Sequence, residues 1–116
     1  MKFMTLVKTT KAGVGMPPTA LMQAIGAFGM EAERAGVLVQ QGGLVGKDGS
    51  AFIAVRRRKV VVTDGPFAES KELIGGYAVY DVPTKDEAVD WARRFALLHT
   101  QHWPEWEGEI EVRPIM

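Results

Sequence analysis

The order in which short β-prone runs and two helix-length segments alternate along the chain is the feature that most limits its fold. The first helical segment begins after Pro17-Pro18-Thr19, and the second begins at the capping box of Thr84 and Glu87 and runs to about Leu98. The β-prone runs lie at 3–7, 37–44, 51–55, 60–63, 77–82 and 109–112. We therefore expect one α+β domain over residues 1–116, with the order β-α-β-hairpin-β-α-β.

This order predicts a ferredoxin-like βαββαβ antiparallel sheet with the helices on one face and an inserted β-hairpin. The strands at 3–7 and 77–80 carry apolar residues on both faces, where a solvated face would alternate with polar residues. Because the helices cover only one face, we predict a homodimer in which two sheets pack face to face.

Composition excludes several kinds of site and partner. The 116 residues include no cysteine, which rules out disulfides, thiolate catalysis and Cys-ligated metals. Lys plus Arg and Asp plus Glu are 14 each, so the chain has no overall attraction to nucleic acids or anionic membranes. The apolar run after Met1 is too short for a signal peptide, and we predict a cytoplasmic protein. The basic cluster Arg56 to Lys59 is typical of a solvated hairpin tip, although Arg57-Arg58 is a poor pair for a turn that requires positive φ.

The loop from Asp64 to Glu72 is the only stretch of the chain that resembles a motif. Asp64 could act as a general base if an apolar neighbour such as Phe67 raised its pKa, or it could cap an Asx-type turn. Glu69 or Lys71 could face a pocket and hold a polar ligand, or form a local ion-pair cluster. Gly75-Gly76, a few residues later, predicts a bulge or a close backbone approach.

The two histidines of the chain lie near its C-terminus, where we expect a loop after the second helix. His99 and His102 could pair on a metal with Glu105 or Glu107, act as a base, or simply pack at a loop or dimer edge. Such loosely spaced pairs are usually incidental, so we predict no metal site. The aromatic run Trp103 to Trp106 could anchor the last strand, join a dimer interface, or form a pocket lid suited to an aromatic ligand.

The string Asp64-Gly65-Pro66-Phe67-Ala68-Glu69-Ser70-Lys71-Glu72, followed by Gly75-Gly76-Tyr77, closely resembles the signature of the YCII-related, DGPF-type domain family. The resemblance implies the dimeric α/β-barrel superfamily, with a pocket between the sheet and the helices. It also implies association of some members with extracytoplasmic-function sigma factors and resemblance of others to enzymes acting on cyclic organic compounds.

Two functions follow as hypotheses. The first is a small-molecule-binding or enzyme-like domain, with acid–base chemistry on a small cyclic organic compound and no cofactor. Its catalytic candidate is Asp64, and its binding candidates are Phe67, Glu69, Lys71 and Tyr77. The alternative is a non-catalytic dimeric interaction or regulatory protein, associated with a sigma factor. It is favoured by Phe28, Gly42 and Val45, which stand where the resemblance implies polar pocket groups.

Overall fold

The computed structural model of the chain describes residues 1–45, 49–64 and 73–116, without the side chain of Asp64. Its elements are β1 (Lys2–Thr9), α1 (Thr19–Arg34), β2 (Leu38–Gly43), β3 (Ala51–Arg56), β4 (Lys59–Asp64), β5 (Leu73–Asp81), α2 (Lys85–His102) and β6 (Gly108–Pro114). Four strands form an antiparallel sheet in the order β2-β5-β1-β6, and β3 pairs with β4 in a separate two-stranded sheet. The predicted α+β class, with an antiparallel sheet and two helices, is confirmed, and the strand order is consistent with a ferredoxin-like fold.

The core lies between the two helices and one face of the sheet. Phe3 of β1 is opposite Tyr80 of β5, and both side chains are buried. They join one apolar cluster with Ala32 of α1 and Ala88 of α2. Burial raises the pKa of Tyr80 to about 12, although the positive charge of Arg94 opposes the shift.

The other face of the sheet carries the alternate residues of the same strands. Met4 is opposite Val79, and Leu6 is opposite Tyr77, so these four side chains form a central apolar strip on the face away from the helices. At the β6 side of this strip, Lys8 forms a salt bridge of 2.6 Å with Glu111. The hydrogen bonds from Lys8 and then from Arg113 lower the pKa of Glu111.

Two element boundaries, the start of β5 and the end of α2, differ most from the prediction. Strand β5 begins at Leu73, so Gly75-Gly76 lies inside the strand and not before it. The predicted bulge is confirmed there, because Val7 pairs with Gly76 and Lys8 with Ile74, which leaves Gly75 without an opposite residue.

Helix α2 also continues to His102, so both histidines are helical and the predicted loop around them is wrong. No helix-breaking residue occurs before Pro104, which disfavours helical backbone at Trp103 and ends the helix there. At the other end of α2, the Thr84 hydroxyl accepts a hydrogen bond of 3.2 Å from the Glu87 N–H, as the capping box predicts.

Strands β3 and β4 form a two-stranded ribbon, residues 51–64, between β2 and β5 in chain order. Its turn residues, Arg57 and Arg58, have φ of 49° and 67°, in the left-handed region that the sequence interpretation anticipated. No helix within residues 1–45, 49–64 and 73–116 is long and apolar enough to cross a membrane.

Candidate ligand cleft

A cleft of about 1310 Å³ opens between the sheet and the ends of the two helices. Strands β1, β2 and β5 form its floor, while Leu21 and Ile25 of α1 and Phe95 of α2 form part of its walls. Among the described residues that line it, Lys11 is the only one with a charged side chain, and Lys11 lies 3.6 Å from the Glu107 carboxylate. The walls are therefore mostly apolar, with few polar groups to orient a ligand.

Among the described residues that line the cleft, His99 is the one buried titratable side chain, with 5% of its surface exposed. Its Nδ1 lies 3.2 Å from the carbonyl oxygen of Phe95, one helical turn earlier. A carbonyl oxygen can only accept, so Nδ1 carries the hydrogen and Nε2 of the neutral ring is an acceptor. Burial lowers the pKa of His99, against a smaller opposing effect of the Phe95 hydrogen bond, and so favours this neutral form.

The Nε2 atom of His99 is available to a ligand. No hydrogen bond within the described part of the chain engages it. Among the described residues, every side-chain nitrogen or oxygen that is buried from solvent has a hydrogen-bond partner. Since Nε2 has no such partner, it is accessible to solvent. Because the ring lines the cleft, we infer that Nε2 opens on the cleft.

Two tryptophans after α2 complete the wall beside His99. The Trp106 ring lies 4.4 Å from the His99 ring, centroid to centroid, and stacks on Trp103 at 6.3 Å. The Trp106 Nε1 donates a hydrogen bond of 2.9 Å to the Thr9 hydroxyl, which fixes the loop to the end of β1. A side chain at Gly108 would collide with the Trp106 ring and with the Lys8 carbonyl, so glycine permits this close approach.

Tyr77, a predicted binding residue, belongs to the strand that forms the cleft floor. Its ring covers Gly42, where an added Cβ would lie 2.9 Å from Tyr77 Cε1. Its hydroxyl accepts a hydrogen bond of 2.9 Å from the Gln40 Nε2. Since Tyr77 alternates with the core residue Ala78, its ring lies on the sheet face away from the helices. Its role in ligand binding stays a prediction.

The other predicted site residues, Asp64, Phe67, Glu69 and Lys71, fall on side chains outside the described residues. Their roles also stay predictions. The sequence predicts a loop at His99, whereas its burial against Phe95 depends on the extension of α2. The sequence signal that could have found it is the spacing of Trp91, Phe95 and His99 at i, i+4 and i+8, which continues the apolar helix face into the imidazole.

The metal alternative for the two histidines gains no support from their surroundings. Within residues 1–45, 49–64 and 73–116, no three His, Asp or Glu side chains are grouped so that they could hold a metal ion. The Nδ1 of His99 is engaged in a hydrogen bond with the Phe95 carbonyl oxygen. Its chemistry in this setting is that of a hydrogen-bond or proton acceptor.

Comparisons with known proteins agree with the resemblance carried by the loop motif. The family model of the YCII-related domain matches residues 1–116, the whole chain. The chain is also similar to an uncharacterized protein of Rhizobium meliloti (strain 1021), with 32% identity over 95 residues, which are 82% of this chain and 73% of that relative.

Proposed function

Because the chain belongs to the YCII-related domain family, we propose that it binds a small uncharged ring compound in the cleft and carries out acid–base chemistry on it. The observation that carries the proposal is the buried His99, whose Nδ1 lies against the Phe95 carbonyl and whose Nε2 has no partner among the described residues, in an apolar cleft wall. A ligand there gains apolar contact with aromatic side chains and can donate one hydrogen bond to the imidazole.

The chemistry of the walls selects the kind of ligand. A charged ligand would lose its hydration in the cleft, and Lys11, the charged side chain of the described wall, already pairs with Glu107. An apolar ring with a hydroxyl group matches both the stacked tryptophans and the Nε2 acceptor. This ligand class is the small cyclic organic compound that the family resemblance implies.

The motif loop would form part of the rim. Strand β4 ends at Asp64, and the chain returns at Leu73, which lines the cleft. The segment that joins them carries Phe67, Glu69 and Lys71. In this proposal Asp64 serves as a second acid–base group and the other loop residues contact the ligand. The cleft has room for more than one small ring, since ligand sites usually occupy about 300–1,000 Å³.

Binding can be tested with phenol and toluene, using the fluorescence of the cleft tryptophans as the signal. The variant His99→Asn keeps a donor for the Phe95 carbonyl but its shorter side chain has no atom at the Nε2 position, so it should weaken phenol binding about five- to tenfold. Toluene lacks the hydroxyl and should bind both proteins equally. His102→Asn, three residues along the same helix, is the matched control. Equal phenol binding by His99→Asn, or tighter binding of benzoate than of phenol, would contradict the proposal.

Acid–base activity needs a separate measurement. Cyclohexanone in D₂O exchanges its α-hydrogens when a base removes them, and NMR follows the exchange. A positioned general base contributes about 10²–10⁴-fold, so His99→Gln should remove most of any protein-catalysed exchange. Asp64→Asn tests the loop residue independently. If neither change affects the exchange, the protein binds ligands without acid–base catalysis.

A non-catalytic dimer remains the second candidate, because the apolar strip of Met4, Leu6, Tyr77 and Val79 lies on the face that the helices leave open. A second copy packed on that strip would give the dimeric α/β barrel implied by the resemblance. Neither the family match nor the rhizobial relative indicates a sigma-factor partner, so that association stays a prediction without support.

A further inference from the structure

The two-stranded ribbon carries an apolar face that nothing in the described structure covers. Ile53 pairs with Val62 and Val55 with Val60, so these four side chains share one face. Their exposed fractions are 67%, 60%, 71% and 66%, respectively. Four adjacent β-branched side chains at this exposure form a patch, whereas the exposed apolar residues of ordinary surfaces are scattered.

The described part of the chain gives the ribbon little structural support beyond its own pairing. Within residues 1–45, 49–64 and 73–116, β3 and β4 pack extensively only against each other. An isolated two-stranded hairpin is marginally stable in water. Packing the apolar face of this ribbon, with six residues per strand, on a further surface would therefore stabilise it.

The distribution of charged residues indicates which surface the ribbon packs on. The ribbon ends in the basic tip Arg56 to Lys59. The same chain carries an acidic segment, residues 105–111, with four glutamates at alternate positions. Within the described residues, no ion pair engages the exposed Glu105 or Glu109. The basic tip and the acidic segment are complementary, and the net charge of zero shows that the chain as a whole is balanced.

The ribbon and the acidic segment join the sheet at opposite edges. The ribbon leaves from β2 and returns to β5, at one edge of the order β2-β5-β1-β6, whereas the acidic segment leads into β6 at the other edge. Three strand spacings, about 14 Å, separate β2 from β6. In a twofold-symmetric dimer, a contact between the tip of one copy and the acidic segment of the other would occur twice.

We propose that the ribbon is an interaction surface for a second copy of this chain, with the basic tip on the partner's acidic segment and the apolar face packed beside it. The proposal is independent of the ligand cleft. It would also explain why Arg57 and Arg58 adopt the unfavourable left-handed backbone conformation. A turn with this conformation presents both guanidinium groups at the tip, where they would contact the partner.

The absence of native cysteine allows a direct test by disulfide cross-linking. We expect an equimolar mixture of Arg57→Cys and Glu109→Cys proteins to form covalent dimers on mild oxidation. A mixture of Arg57→Cys with Gln23→Cys, which places the thiol on the exposed surface of α1, is the matched control. Equal cross-linking in both mixtures, or none in either, would overturn the proposal. Closure of an internal disulfide in the Arg57→Cys, Glu109→Cys double variant at high dilution would show that the ribbon folds onto its own chain, which would also overturn it.

A second test of the proposal measures self-association by light scattering. Replacing Ile53 and Val62 with Thr keeps the β-propensity of the ribbon but removes apolar surface, and should raise the dimer dissociation constant at least about tenfold. Val89→Thr, an exposed position of α2, should leave it unchanged. The association should weaken as NaCl rises from about 0.05 to 0.5 M, because salt screens the contact between tip and acidic segment. A monomeric wild-type protein in low salt would contradict the proposal.

Discussion

At the scale of single residues, the buried imidazole of His99 links the cleft to the stability of the fold. Its pKa is lowered by burial, so the unfolded chain binds a proton more readily than the folded one. The unfolding free energy should therefore be unaffected by His99 above its unfolded pKa of about 6.5. It should decrease as the pH falls below that value, until the folded imidazole is also protonated.

Thermal unfolding between about pH 8 and pH 5 measures this effect. The stability of the wild type should decline below about pH 6.5, and this decline should be smaller in His99→Gln, because glutamine has no titrating group at position 99. His102→Gln is the matched control, since His102 is on the same helix but outside the described cleft wall. The same slope in all three proteins would show that His99 is protonated as easily in the folded state as in the unfolded one.

Two glycines of neighbouring strands give a second residue-scale prediction. At Gly42, an added Cβ would lie 2.9 Å from Cε1 and 3.1 Å from the hydroxyl oxygen of Tyr77. Gly42→Ala must displace the ring and its hydrogen bond with Gln40, and should destabilise the protein by about 1–3 kcal/mol. At Gly75, the bulge residue, the Cβ would meet no atom within 4 Å. Gly75→Ala should be neutral or stabilise by up to about 1 kcal/mol. Chemical denaturation compares the two, and an equal loss of stability would contradict the argument.

At the scale of elements, the ribbon turn allows a prediction that does not depend on any partner. Replacing Arg57-Arg58 with Asn-Gly provides residues that tolerate positive φ at both turn positions. The change should stabilise the ribbon by about 1–2 kcal/mol. Hydrogen exchange of the β3 and β4 amides reports this local stability. Exchange that becomes faster in the Asn-Gly variant would show that the arginine side chains stabilise the turn by more than their backbone strain costs.

The elements that could be predicted from sequence are those with local signals. The Thr84 cap is sufficient to predict the start of α2, and the alternation of Glu109 with Ile110 is sufficient to predict β6. Both signals come from neighbouring residues. The aromatic-rich stretch after Leu98 predicts a loop, whereas α2 extends through His99 to His102. The candidate site followed from this difference. The open Nε2 depends on contacts with Trp106 and the Phe95 carbonyl, which only the folded chain brings around it.

At the scale of the whole molecule, the face away from the helices decides whether the protein functions as a single chain. Met4, Leu6 and Tyr77 are only partly buried there, and the salt bridge of Lys8 with Glu111 borders them. Face-to-face packing of two such strips would remove apolar surface from water on both copies. Folding would then be coupled to association, and the midpoint of thermal unfolding would rise with protein concentration.

Leu6→Lys tests this coupling at the centre of the strip. If a second copy covers the strip, the substitution buries two unpaired charges in the interface, one from each copy, and should convert a dimer into a monomer. Leu97→Lys, on an exposed part of α2, introduces the same charge away from the strip and should leave the mass unchanged. In a monomer, Leu6→Lys would instead cost little, and unfolding would not depend on concentration in either protein. Because the ribbon contact is read by cross-linking at Arg57 and Glu109, a dimer that survives Leu6→Lys but keeps that cross-link would place the interface at the ribbon and not at the sheet.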